Sequence, residues 1–92
     1  MDVVIYGVWY TTHMIYIDVR TKDEYNNGHV DGALHFDIMD MMYGTFPDIP
    51  KETECTLYCE SGNRSMMAKT ILEQNGWKKV IDGGSIDNLL KV

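Results

Sequence analysis

The run Cys59-Glu60-Ser61-Gly62-Asn63-Arg64-Ser65 puts a thiol, a glycine and an arginine in one short turn. A thiolate is a soft nucleophile, and its availability depends on whatever lowers the thiol pKa. Cys59 follows an apolar stretch, Cys55-Thr56-Leu57-Tyr58, and precedes apolar residues at helical spacing. A sulfur placed there ends a strand and faces the first amides of a helix, which have no internal acceptor. Turn amides from Glu60 to Ser65, curled inward, would complete a ring of donors for an anion. Gly62 permits a backbone conformation that a side chain resists. Arg64 adds a permanent cation whose flat fork suits an oxyanion. The predicted chemistry is a thiolate nucleophile inside an anion-binding loop. A lone cysteine is more often a packing residue, but its company of glycine, arginine and helix start moves the reading to function.

Several other residues bear on this site. Asp18 ends a strand and is expected to serve the turn that follows, with pairing to a basic group beside the active loop as the alternative. Arg20 either draws anions to the site or pairs with a nearby carboxylate. His29 follows a helix-ending glycine and reads as a hydrogen-bonded structural residue rather than a base. Cys55 lies within the strand and should be inert. Trp9 and Trp77 read as core or cover residues. Glu60 matters by its direction: turned inward it raises the Cys59 pKa, and turned outward it is screened by solvent.

The elements that must position these residues follow from pattern. Residues 3–8, 15–17, 55–58 and 79–81 are short apolar runs that read as strands, and residues 30–36 read as a turn and a further strand. Residues 9–14 fit no single element. Thr21-Lys22-Asp23-Glu24 is a capping box that starts a short helix. Asn27-Gly28 stops it. Asp37 caps a methionine-rich helix over residues 38–43, whose methionines are expected to fill core. Residues 66–75 form a helix with Met67 and Ile71, and Ala68 and Leu72, at i, i+4 spacing. Gly76 closes it, Gly83-Gly84 is a turn, and Ser85 caps a last helix to Leu90. Strands alternating with helices imply an α/β fold, a mainly parallel central sheet with helices on both faces. Ligands of such sheets sit beyond the carboxyl ends of the strands, where Asp18-Val19-Arg20 and the Cys59 loop both arrive.

Composition narrows the class. A chain of 92 residues fits one small domain over residues 1–92, and 45% apolar with 24% charged residues is a globular balance. The net charge of −6 argues against nucleic acid and anionic membranes as partners, so any anion site must be local. No apolar run approaches the ~20 residues of a membrane span. His13, His29 and His35 are widely spaced and no Cys-x-x-Cys occurs, so no metal or other cofactor is expected. Cys55 and Cys59 on one strand stand ~13 Å apart at ~3.3 Å per residue, beyond the ~7 Å reach of a disulfide. Two free thiols suit a reducing compartment, hence the cytoplasm. No oligomer signal is visible, so a monomer is expected.

Cys59-x-x-Gly62-x-Arg64-Ser65, then Asn75-Gly76-Trp77 and Gly83-Gly84, resembles the active-site half of a rhodanese domain. Ile17-Asp18-Val19-Arg20, Glu24-Tyr25 and Gly28-His29-Val30-Asp31-Gly32-Ala33 resemble its first half. The resemblance runs over residues 15–90 and leaves the first 14 unmatched. It implies a thiosulfate sulfurtransferase. Cys59 thiolate would attack the outer sulfur of thiosulfate, sulfite would leave, and a thiophile such as cyanide or a thiol would take the sulfur from the persulfide. Cys59 would be catalytic, and Glu60, Ser61, Gly62, Asn63, Arg64 and Ser65 would bind substrate, with Asp18 and Arg20 in support. Related dual-specificity phosphatases have five residues between cysteine and arginine. Here Glu60, Ser61, Gly62 and Asn63 alone intervene, which disfavours phosphate or arsenate chemistry. Asp31 stands where the family often has proline, and Leu89 or Leu90 near where many members have tryptophan. The alternative is a rhodanese-like module that carries persulfide or binds a protein partner with little turnover. The resemblance also allows a mature periplasmic form.

Overall fold

The computed structural model describes the backbone of residues 2–5, 8–11 and 14–90, and the side chains of residues 14–90. Among the described residues ten elements follow in order: β1 Asp2–Ile5, β2 Val8–Thr11, β3 Ile15–Asp18, α1 Lys22–Asn26, β4 Leu34–His35, α2 Ile38–Met42, β5 Cys55–Cys59, α3 Asn63–Gln74, β6 Val80–Ser85 and α4 Ile86–Leu90. In place of the single strand expected over residues 3–8 stand two antiparallel strands, β1 and β2, and β2 takes in part of the unassigned 9–14. The side chains of Trp9 and His13 lie outside the described residues.

The central sheet has the order β4-β3-β5-β6, and every neighbouring pair is parallel. β5 is buried at all its residues, as a central parallel strand covered on both faces must be. Alternation along the strands divides two cores. Ile17, Val19, Cys55, Leu57 and Cys59 face Ile38 and Met41 of α2 and Ala68 and Leu72 of α3. Tyr58 faces the other way, with Ala33 and Ile86, and Leu89 packs beside them. α1 is tied to that side by the Tyr25 hydroxyl, which donates to the Ala33 carbonyl at 2.7 Å. Each fully buried Leu or Ile in these layers stabilises the fold by ~1.5–3 kcal/mol.

The caps form as the residue types predict. Thr21 and Glu24 make both bonds of the capping box, and Asp37 accepts from the Met39 amide. Ser85 accepts from the Asp87 amide at 3.2 Å to start α4. Gly76 ends α3 with φ 103°. Three expectations need correction. α3 begins at Asn63, a turn earlier than residue 66, because Gly62 takes a left-handed conformation and redirects the chain at once. β6 continues through Gly83-Gly84 where a turn was expected. A Cβ on Gly83 would lie 2.6 Å from Thr56 Cγ2 and 2.9 Å from the Leu57 carbonyl, so glycine is what lets β6 approach β5. Of the methionines in α2, Met41 alone is core; Met39 and Met42 are about half exposed, as is Met67 of α3.

Candidate active site

Strand register builds the site. Asp18 stands opposite Tyr58, and the Val19 amide donates to the Tyr58 carbonyl at 3.0 Å. The turn after β3 therefore lies against the turn after β5, at the carboxyl edge of the sheet. Cys59, fully buried, is the last residue of β5. Its Sγ accepts the Gly62 amide at 2.9 Å and the Ser65 amide at 3.3 Å. The left-handed Gly62, φ 100°, is what folds the chain back over the sulfur. No side chain caps α3, so the sulfur receives amides that a capping oxygen would otherwise take.

The electrostatics follow. Burial pushes the Cys59 thiol up, while hydrogen bonds from the backbone amides, Ser65 first and then Gly62 and Ser61, pull it down. The net result is a thiol held below its ordinary value of 9.0. Cys55 has burial alone and is pushed up to about 11, in keeping with an inert strand thiol. Both cysteines are unpaired.

Both arginines are committed to carboxylates. Arg64 Nη1 and Nη2 donate to Glu24 Oε1 and Oε2 at 2.7 and 2.9 Å. This fork-to-fork pair draws Glu24 down to about 2 and raises Arg64 further. Arg20 is buried with Asp18: Nε reaches Oδ1 at 3.0 Å and Nη2 reaches Oδ2 at 2.8 Å. Its Nη2 also donates to the Gly28 carbonyl, and its Nη1 to Glu60 Oε2 at 2.8 Å. Hydrogen bonding to Asp18 raises Arg20 far above its ordinary range.

The sequence-predicted residues therefore separate by role. Gly62, Ser65 and Ser61 gather on Cys59. Glu60 is exposed and turned outward to Arg20, the arrangement with the smaller effect on the sulfur. Asn63 opens α3 and is exposed. Asp18 does both things weighed for it. Its Oδ1 accepts the Arg20 amide at 2.9 Å and holds the turn, and its carboxylate binds the guanidinium. Arg20, of its two readings, pairs with carboxylates. His29 is structural: its Nδ1 is 2.8 Å from the Tyr25 carbonyl and its ring stacks on Tyr25. Trp77 is buried in the core.

Two residues at the site escaped sequence reading. Glu24 was legible as a capping residue but not as the partner of Arg64. Asp82 carried no signal; its Oδ1 accepts the Ser65 hydroxyl at 2.7 Å and the Gly84 amide at 2.9 Å. A polar cavity of about 430 Å³, lined by Arg20, Glu24, Asn27, Gly28 and Glu60, adjoins this arrangement.

The rhodanese-like domain family model matches residues 10–85. The chain is 28% identical over 75 residues to the thiosulfate sulfurtransferase PspE of Escherichia coli, covering 80% of this chain and 72% of that protein. It is 33% identical over 78 residues to a sulfurtransferase of Allochromatium vinosum, covering 83% and 72%. Among solved structures, a rhodanese with anions from E. coli superposes with TM-score 0.72 at 28% identity, over 87% of this chain and 95% of that one. The human single-domain sulfurtransferase TSTD1 gives TM-score 0.74 at 20% identity, over 84% and 80%, a likeness of fold.

Proposed function

The chain belongs to the family of rhodanese-like domains, and from that premise we propose that it moves sulfane sulfur from thiosulfate, or a similar donor, to a thiophilic acceptor through a persulfide on Cys59. The observation that carries this reading is the pair of amides, Gly62 and Ser65, aimed at a buried sulfur whose pKa they help to lower. In the first step the Cys59 thiolate attacks the outer sulfur of thiosulfate. The sulfur–sulfur bond of thiosulfate breaks and sulfite leaves with the electron pair. In the second step cyanide or a thiolate attacks the outer sulfur of the persulfide, and Cys59 leaves as thiolate. The same preorganised amides serve thiolate and persulfide, so little rearrangement is needed between steps. The anion site is then made of backbone from Glu60 to Ser65, while Arg64 and Arg20 act as struts. Two unpaired thiols suit the cytoplasm, and a monomer suffices for the reaction.

A second reading has one observation in its favour. Arg20 and Arg64 are both neutralised, among Asp18, Glu24, Glu60 and Asp82, so a dianion meets no uncommitted guanidinium at the loop. This favours a module that takes sulfur from, or gives it to, a protein partner. Initial rates with thiosulfate and cyanide separate the two readings. Parallel double-reciprocal lines, the mark of a two-step covalent route, with activity lost in Cys59→Ser, are expected for the enzyme. No turnover with the fold intact favours the partner-dependent module.

A further inference from the structure

The Ser65 hydroxyl has one hydrogen and three neighbours. Its oxygen lies 2.7 Å from Asp82 Oδ1, 3.1 Å from the Gly62 carbonyl and 3.7 Å from Cys59 Sγ. The bond to a carboxylate at that length is charge-assisted and the strongest of the three. The hydrogen therefore rests on Asp82, and a lone pair of the oxygen is left toward the sulfur. In that state the hydroxyl accepts from the Cys59 thiol but gives nothing to the thiolate. We propose that Asp82, on β6, is a positioning residue for Cys59: by holding the hydroxyl hydrogen of Ser65, it decides whether that hydroxyl accepts from the thiol or donates to the charged sulfur.

The consequence is specific. The amides of Gly62 and Ser65 are fixed by the backbone and always donate. Ser65 Oγ is the one group contacting Sγ, among the described residues, whose hydrogen can turn. Asp82 is exposed and held by the Gly84 amide, so its carboxylate stays in place whatever the state of the sulfur. The other charged groups around Cys59 are committed elsewhere: Arg64 of α3 to Glu24, Glu60 of the loop to Arg20, and Arg20 to Asp18 as well. Cys55, on the same strand and facing the same core, is neutral in the ordinary pH range. An amide in place of the Asp82 carboxylate would hold the Ser65 hydrogen less firmly, and its NH2 could itself donate to Ser65 Oγ. Either change frees the hydroxyl for the thiolate.

The reading takes Cys59 as the reacting thiol, and its test reads that thiol rather than turnover. The alkylation rate of Cys59 by iodoacetamide, followed by peptide mass, is measured against pH in the native protein, Asp82→Asn, Ser65→Ala and the double variant. Asp82→Asn is expected to move the midpoint ~0.5–1 pH unit lower, and that shift is expected to vanish in the Ser65→Ala background. Ser65→Thr, which keeps the hydroxyl, should retain the response to Asp82→Asn and covers the case in which Ser65→Ala does not fold. An equal shift in both backgrounds would make Asp82 a plain charge, and no shift in a folded Asp82→Asn would make it a structural residue; either overturns the proposal. Because alkylation needs no sulfur donor, a protein inactive with thiosulfate would still give this answer.

Discussion

Cys55 and Cys59 lie on one strand, face the same core and are equally buried, yet one is pushed up to about 11 and the other is held below 9.0. Burial is therefore not what decides between them. Cys55 opens β5, where the neighbouring amides are spent on the β3 and β6 ladders. Cys59 sits where the ladder ends and α3 begins, so amides without helical partners converge on its sulfur. The same side chain is a small hydrophobe at one position and a thiol of lowered pKa at the other, two pleat repeats along the strand. What lowers the pKa is the strand-to-helix junction, and Gly62 makes the junction short.

The strongest way to break this comparison is to remove each sulfur in turn. Cys59→Ser should lower sulfur transfer by ~10³-fold or more, measured as thiocyanate formation. Cys55→Ala should leave turnover near native and cost ~1–2 kcal/mol of stability, read from denaturant melts. Next comes reactivity. At pH 8 a thiol with a pKa near 11 is ~0.1% thiolate, so iodoacetamide should label Cys59 and leave Cys55 untouched in the folded protein. The sign is fixed: a lowered pKa gives more thiolate at a given pH, and labelling of Cys59 rises at a lower pH than for an ordinary thiol. Gly62→Ala attacks the junction itself. A left-handed residue with a Cβ is strained by ~1–2 kcal/mol; the added atom, 3.6 Å from Gly84 Cα, makes only an ordinary contact, so the cost lies in the backbone. Displacing the amide should slow transfer ~10-fold and raise the pH at which Cys59 is labelled.

The smallest expected effect concerns Arg64. Glu24→Gln releases the guanidinium beside the loop, and KM for thiosulfate should fall a few-fold. The same variant removes an acid-dependent contribution to stability. With Glu24 at about 2 when folded against an ordinary 4.5, that contribution is complete above 4.5 and is lost as pH falls through about 2. Melts of the native protein and the variant across that range should converge at the acid end.

Local chemistry was legible in the sequence, and the pairing of distant side chains was not. The capping box at Thr21, the cap at Asp37 and the parallel sheet followed from residue types and periods, because those depend on near neighbours. The Cys59 sulfur and its amide donors were legible for the same reason, since strand, turn and helix start are contiguous. Arg64 with Glu24 and Arg20 with Glu60 each join residues 40 positions apart, and Ser65 with Asp82 joins residues 17 apart. No local pattern encodes those distances. Arg64 therefore read as a free anion ligand when its fork was already filled. The half-exposed Met39 and Met42 were misread for another reason: apolar residues fill cores, but cores do not claim every apolar residue. Gly83 read as a turn because its purpose, close approach to β5, lies across the sheet.

The most direct test is the intact mass of the protein after brief exposure to thiosulfate, followed by peptide mapping of any added sulfur. The account predicts a gain of one sulfur atom, located on Cys59, reversed by cyanide, retained in Cys55→Ala and absent in Cys59→Ser. A sulfur found on Cys55, or one that persists in Cys59→Ser, would contradict it.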